Sequence, residues 1–132
     1  MIGLDTNVVV RLFVDDDAAQ AGAARRFVAS QCSTERPGFV NRVVLCELVW
    51  VLTSVFGYGR GAVADVIDDL LATRDFVLED HKTARSALQT FRNSNVGFSD
   101  ILVGELNLAR GCETTATFDR KAARLKGFVR VS

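Results

Sequence analysis

Short apolar runs alternate with stretches of helical periodicity along the chain, and this alternation constrains the fold more than any other feature of the sequence. Ile2-Gly3-Leu4 reads as a buried strand, separated by Asp5-Thr6-Asn7 from the apolar segment Val8-Val9-Val10. An alanine-rich helix from about Ala18 to Ser30 carries Ala24, Phe27 and Val28 at helical spacing. Glu35 to Gly38, with the only proline, is a loop, and Phe39-Val40 is a short strand. A helix from about Val43 to Phe56 ends in the glycine-rich turn Gly57 to Gly61. The alternation continues with a helix from Ala62 to Thr73, the strand Phe76-Val77-Leu78, and a helix near Lys82 to Asn93. Ser99 can cap the next helix, which runs to about Arg110 and is stopped by Gly111. Thr114 to Phe118 is a strand, Asp119 opens a short helix, and Phe128 to Val131 is a last short strand.

Strands alternating with helices predict an α/β fold: a mostly parallel central sheet flanked by helices on both faces. A chain of 132 residues supports one hydrophobic core, so a single domain over residues 1–132 is expected. With 48% hydrophobic and 24% charged residues, the composition excludes a disordered or low-complexity chain. No apolar run approaches the length of a membrane span. The N-terminus has no basic region and meets an acid at Asp5, which argues against a signal peptide. The expectation is a cytoplasmic protein with no membrane contact.

Cys32, Cys46 and Cys112 are far apart and form no CxxC, so neither a zinc site nor a disulfide framework is expected. Net charge is zero, but acids gather from Asp65 to Asp80 and bases from Arg110 to Ser132. Most of the 16 basic residues are arginine, whose fork grips phosphate in a bidentate way that lysine lacks. A solvated surface accounts for the same pattern.

In parallel sheets the site lies outside the carboxyl ends of the strands, and four acids compete for that place. Asp5 follows the first strand, where an Asx-turn or N-cap is the common use of such a residue. Glu47 sits in Val43 to Leu52, a run apolar nearly all round and hence expected to be buried. A buried carboxylate needs a partner, whether a metal or a base such as Arg42 or Arg11. Asp100 lies in the first turn of its helix, where the helix dipole alone favours an acid. Asp119 can simply N-cap its short helix. Four carboxylates brought together repel one another unless a cation compensates. An all-oxygen donor set suits Mg²⁺ or Mn²⁺.

Leu4-Asp5-Thr6-Asn7, the Glu47 helix, Phe98-Ser99-Asp100 and Thr117-Phe118-Asp119-Arg120-Lys121 resemble the successive acidic motifs of PIN domains. More narrowly, the chain is similar to the VapC ribonuclease toxins of prokaryotic toxin–antitoxin pairs. The resemblance covers essentially the whole chain, with the acids in the family's order and spacing. It implies an endoribonuclease dependent on Mg²⁺ or Mn²⁺, with Asp5, Glu47, Asp100 and Asp119 as ligands and Asn7 and Thr117 as supporting polar residues. Asp5 and Asp100 would bind the ion directly, Glu47 would bind it or orient its water, and Asp119 would act farther out or at a second ion. Ala122 and Ala123 stand where the family often has an aromatic residue after the last acid. Arg120 and Lys121 would hold substrate phosphates. The implied partners are RNA, a small antitoxin that places an Arg or Lys among the carboxylates, and a second copy of the chain. Trp50, Phe56 and Tyr58 supply apolar surface for that homodimer. No histidine base is needed, and His81 is expected to be exposed.

Two other classes fit parts of the pattern. In a haloacid-dehalogenase-like phosphatase Asp5 would be the nucleophile, but Asn7 cannot serve as the general acid. A non-catalytic RNA- or protein-binding domain would tolerate loss of one of the acids, and all four are present.

Overall fold

Asp5 ends the first strand by starting a helix. Its Oδ1 accepts from the Thr6 amide at 2.8 Å, and its carbonyl accepts from the amides of Val8 and Val9. In the computed structural model, which describes residues 1–132, β1 (Ile2–Gly3) therefore leads directly into α1 (Thr6–Phe13). Val8 to Val10 belong to this helix. Thr6, Val9 and Val10 form its buried stripe at i, i+3, i+4, and their burial outweighs the small helix reluctance of β-branched residues.

The chain falls into two units, Met1–His81 and Lys82–Ser132. In the first, α2 (Ala18–Gln31) is capped by Asp17, whose Oδ1 accepts from the Gln20 amide. It is followed by β2 (Gly38–Val40), α3 (Arg42–Ser54), α4 (Arg60–Ala72) and β3 (Phe76–Leu78). The sheet order is β1-β2-β3, and both pairings are parallel, with Gly38 opposite Ile2 on one side and Phe76 on the other. Parallel neighbours require crossovers; α1 and α2 form the first, α3 and α4 the second. At Gly38 a Cβ would lie 2.8 Å from Leu4 Cδ1 and 3.1 Å from Phe76 Cδ1, so a side chain added here would have to displace those two. The core is built from Val9, Val40, Leu45, Leu48, Leu52, Ile67 and Leu70, all fully buried.

The start of α3 is fixed by Asn41, whose Oδ1 accepts from the Val44 amide at 2.8 Å. Replacing Asn41 with Ala should lower stability by about 1 kcal/mol, the usual worth of such a cap. Thermal melting beside the wild type checks this, and a variant that melts unchanged would remove the cap from the account.

The second unit holds α5 (His81–Arg92, from Lys82 on), α6 (Phe98–Arg110), β4 (Thr115–Thr117), a 3-10 turn (Ala122–Arg124) and β5 (Phe128–Arg130). β4 and β5 pair in parallel, with Thr117 opposite Arg130. Ala84, Ala87, Leu88 and Phe91 of α5 face inward at helical spacing, as do Phe98, Ile101 and Leu102 of α6. Phe91 and Phe98 meet edge to face, with ring centroids 5.7 Å apart. α6 ends at Gly111, which adopts φ 101°, a left-handed conformation natural to glycine. Every strand pairing in the protein is parallel, distributed between the three-stranded and two-stranded sheets, and the class is α/β. No helix is long and apolar enough to cross a membrane.

Candidate metal and RNA site

The first unit carries Asp5, Asn7 and Glu47; the second carries Asp100, Thr117, Asp119, Arg120 and Lys121. Asp5 is exposed at the carboxyl end of β1 and caps α1. One of its oxygens is engaged by the Thr6 amide. Thr6 itself is only 6% exposed, and its Oγ1 is buried without a hydrogen-bond partner, an orphaned polar atom next to the first acid. Asn7 is exposed near the start of α1 and borders a shallow groove of about 400 Å³ with Val8, Arg11, Gln20, Ala23, Ala24 and Phe27.

Glu47 corrects the sequence reading. It is exposed, not buried. The buried stripe of α3 is Val44, Leu45, Leu48, Val49 and Leu52, and the opposite side presents Val43 and Trp50, 61% and 64% exposed, together with Glu47. A helix apolar nearly all round is here buried on one side only. The ion-pair explanation for Glu47 also fails, because Arg42 pairs with Asp80 and Arg11 with Asp16. Glu47 is thus an uncommitted carboxylate on an apolar surface.

Sequence reasoning passed over Glu79. It directly follows β3, and its Oε1 accepts from the Arg42 amide at 2.9 Å, tying down the first turn of the helix that bears Glu47. Its neighbour Asp80 sits at φ 52° and pairs with the Arg42 side chain. The available signal was position, since an acid immediately past a parallel strand lies on the edge where sites form.

In the second unit, α6 begins two residues earlier than expected. Gly97 is its N-cap, with no side-chain cap bond, so Ser99 lies inside the first turn and does not cap it. Gly97 supplies the extended backbone and Phe98 the buried anchor, which leaves Ser99 exposed. Asp100 is the third helical residue, exposed, with neither a hydrogen bond nor an ion pair. Its Oδ2 lies back over Gly97, where the unsatisfied amides of the helix start favour negative charge.

Thr117 and Asp119 are brought together: Thr117 Oγ1 accepts from the Asp119 amide at 3.0 Å. Asp119 Oδ1 in turn accepts from the Ala122 amide at 2.8 Å, and its carbonyl from Ala123, so Asp119 braces the turn leading into the 3-10 helix, whose N-cap is Lys121 and not Asp119 as the sequence suggests. Arg120 and Lys121 are exposed in that turn. A cavity of about 510 Å³ between α6 and the segment 125–128 holds none of the predicted site residues.

Within neither unit do three or more His, Cys, Asp or Glu side chains gather closely enough to hold a metal ion. The donor chemistry nonetheless fits a hard divalent cation. Glu47 and Asp100 have both oxygens uncommitted, and Asp5 and Asp119 each give one oxygen to a backbone amide and keep the other. His81, exposed at the start of α5, offers no competing nitrogen site.

Compared with known proteins, residues 2–127 match the family model described as PIN domain. Among solved structures, the chain is similar to Mycobacterium tuberculosis VapC20, described as a sarcin-ricin loop cleaving toxin. The two are 19% identical, the alignment covers 93% of each chain, and the TM-score is 0.47. A search of curated proteins finds no match. The family match takes in both units and every one of the four acids, and the chain belongs to the PIN-domain family.

Proposed function

We propose that this PIN domain is a metal-dependent endoribonuclease and the toxin of a toxin–antitoxin pair. The observation that carries the reading is the family match across residues 2–127, a span that contains Asp5, Glu47, Asp100 and Asp119 in order. By the family resemblance, these four carboxylates would be the ligands of Mg²⁺ or Mn²⁺. Bound there, the ion supplies an activated water and neutralises charge on the phosphoryl oxygens.

The chain's own residues prepare for that role. The Thr6 amide fixes one oxygen of Asp5, and the Ala122 amide fixes one oxygen of Asp119. Each carboxylate is thereby oriented before substrate arrives, which removes a reorganisation cost at the moment of reaction. Thr117 holds the Asp119 backbone, and Glu79 anchors the start of the helix that carries Glu47. Arg120 and Lys121 hold phosphates and position the strand without reading bases. Water adds across a P–O bond, leaving a phosphate on one product and a hydroxyl on the other.

The partners are an RNA substrate, an antitoxin whose Arg or Lys occupies the acids in place of the metal, and a second copy of the chain joined through the exposed α3 surface around Trp50. The purified protein should cut RNA internally in Mg²⁺ or Mn²⁺ and stop when the ion is chelated. Cleavage that persists in chelator would overturn the metal dependence. No cleavage in either ion, with protein shown to be folded, would overturn the nuclease reading.

A further inference from the structure

Phe118 is the most exposed large hydrophobic side chain in the protein, at 77%. The sequence places it in a strand, but β4 stops at Thr117, and Phe118 is the first residue past its carboxyl end. Phenylalanine is among the residues most often buried, and nothing within the second unit covers this one.

The backbone on both sides of Phe118 is held. The Val131 amide donates to the Thr117 carbonyl at 2.8 Å, Thr117 Oγ1 takes the Asp119 amide, and the Asp119 carboxylate takes the Ala122 amide. The ring is thus carried on a fixed turn, with only two side-chain torsions left to order. Its sequence neighbours are Asp119, Arg120 and Lys121, and Arg130 stands opposite Thr117 in the adjoining strand. All four charged residues are exposed.

We propose that Phe118 is a stacking platform for an unpaired nucleobase of the substrate. This rests on the nuclease reading and adds to it a substrate-positioning residue outside the four acids. An aromatic face beside cations is the arrangement that binds single strands, the cations tracking phosphates while the ring takes a base. Stacking tolerates any base, since each has a π-face, and it requires that base to be splayed out of a helix. The flanking Arg and Lys favour RNA over a protein segment as the occupant of the ring.

The test measures binding of a short single-stranded RNA containing 2-aminopurine, in chelator so that the strand stays intact, and cleavage of the same strand and of a duplex in Mg²⁺. Phe118→Ala should weaken single-strand binding about 5- to 150-fold, the range expected for loss of one stacked base. Phe118→Trp should restore binding and quenching of the 2-aminopurine emission, and Phe118→Leu should restore neither. The slope of log Kd against log salt should stay unchanged in Phe118→Ala, whereas neutralising Arg120 and Lys121 should flatten it. Melting temperature should stay at the wild-type value throughout.

Equal binding by wild type, Ala and Leu variants would overturn the platform. So would a Leu variant that matches wild type, because an apolar side chain would then suffice. Unchanged RNA binding with lost inhibition by the antitoxin would assign the ring to a protein interface instead. Stacking without any cleavage in Mg²⁺ or Mn²⁺ would leave the platform standing and refute the nuclease reading, so the two fail separately.

Discussion

Asp100→Asn should reduce RNA cleavage by at least about a hundredfold while the protein melts close to the wild-type temperature. The expectation comes from the few contacts Asp100 makes. It forms no hydrogen bond and no ion pair, and it buries nothing. Its contribution to the fold is the favourable placing of a negative charge in the first turn of α6, worth about 0.3–1 kcal/mol. Removing a residue that merely orients a metal ligand already costs about 10–100-fold, so loss of a ligand should exceed that. Added Mg²⁺ or Mn²⁺ should stabilise the wild type, by about 2.7 kcal/mol at a hundred times Kd, and the variant by less. Melting with and without metal, beside cleavage, checks both halves. A variant that cuts RNA at the wild-type rate would remove Asp100 from the site.

Phe98→Ala should have the largest effect on stability. Phe98 is fully buried, heads α6, and packs edge to face on Phe91. Truncating such a side chain costs about 3–5 kcal/mol through lost transfer energy and the cavity left behind, and the lost ring pair is worth about 0.5–1.5 kcal/mol beyond its area. At a few degrees per kcal/mol for a domain of this size, the melting temperature should fall by roughly 10–20 °C. Ser99→Ala, one residue on, should change it little, because Ser99 is exposed and Gly97 is the cap. A Ser99 variant that loses as much as the Phe98 variant would reinstate serine capping. Cleavage by Phe98→Ala should fall as well, since the turn carrying Asp100 loses its anchor.

Periodicity and stop signals in the sequence locate most of the helices and every strand to within a residue or two. Ala84, Ala87, Leu88 and Phe91 declare the buried side of α5, and Gly111 declares the end of α6. Val8 to Val10 did not read as helix because three β-branched residues carry no period of their own, and the deciding contribution, burial of Thr6 with Val9 and Val10, belongs to tertiary packing. The exposure of Glu47 was hidden for a related reason. Apolar residues on every side of α3 do not say which side will be covered, and the side with Val43 and Trp50 is left open. Glu79 escaped because its partner, the Arg42 amide, is 37 residues away, beyond any local pattern. The order of the acids was legible because order is a property of sequence. Their spatial arrangement is a matter of tertiary structure, as is the projection of Phe118 from the end of β4.

The two units are each contiguous along the chain, the first complete at His81 and the second beginning at Lys82. Synthesis therefore delivers Asp5 and Glu47 early and Asp100 and Asp119 late. At about 5–20 residues per second, the stretch from Lys82 to Ser132 takes roughly 3–10 s to emerge. Throughout that interval the nascent chain has only half of its proposed carboxylate set. Cleavage that needs all four acids therefore cannot begin before Asp119 has emerged.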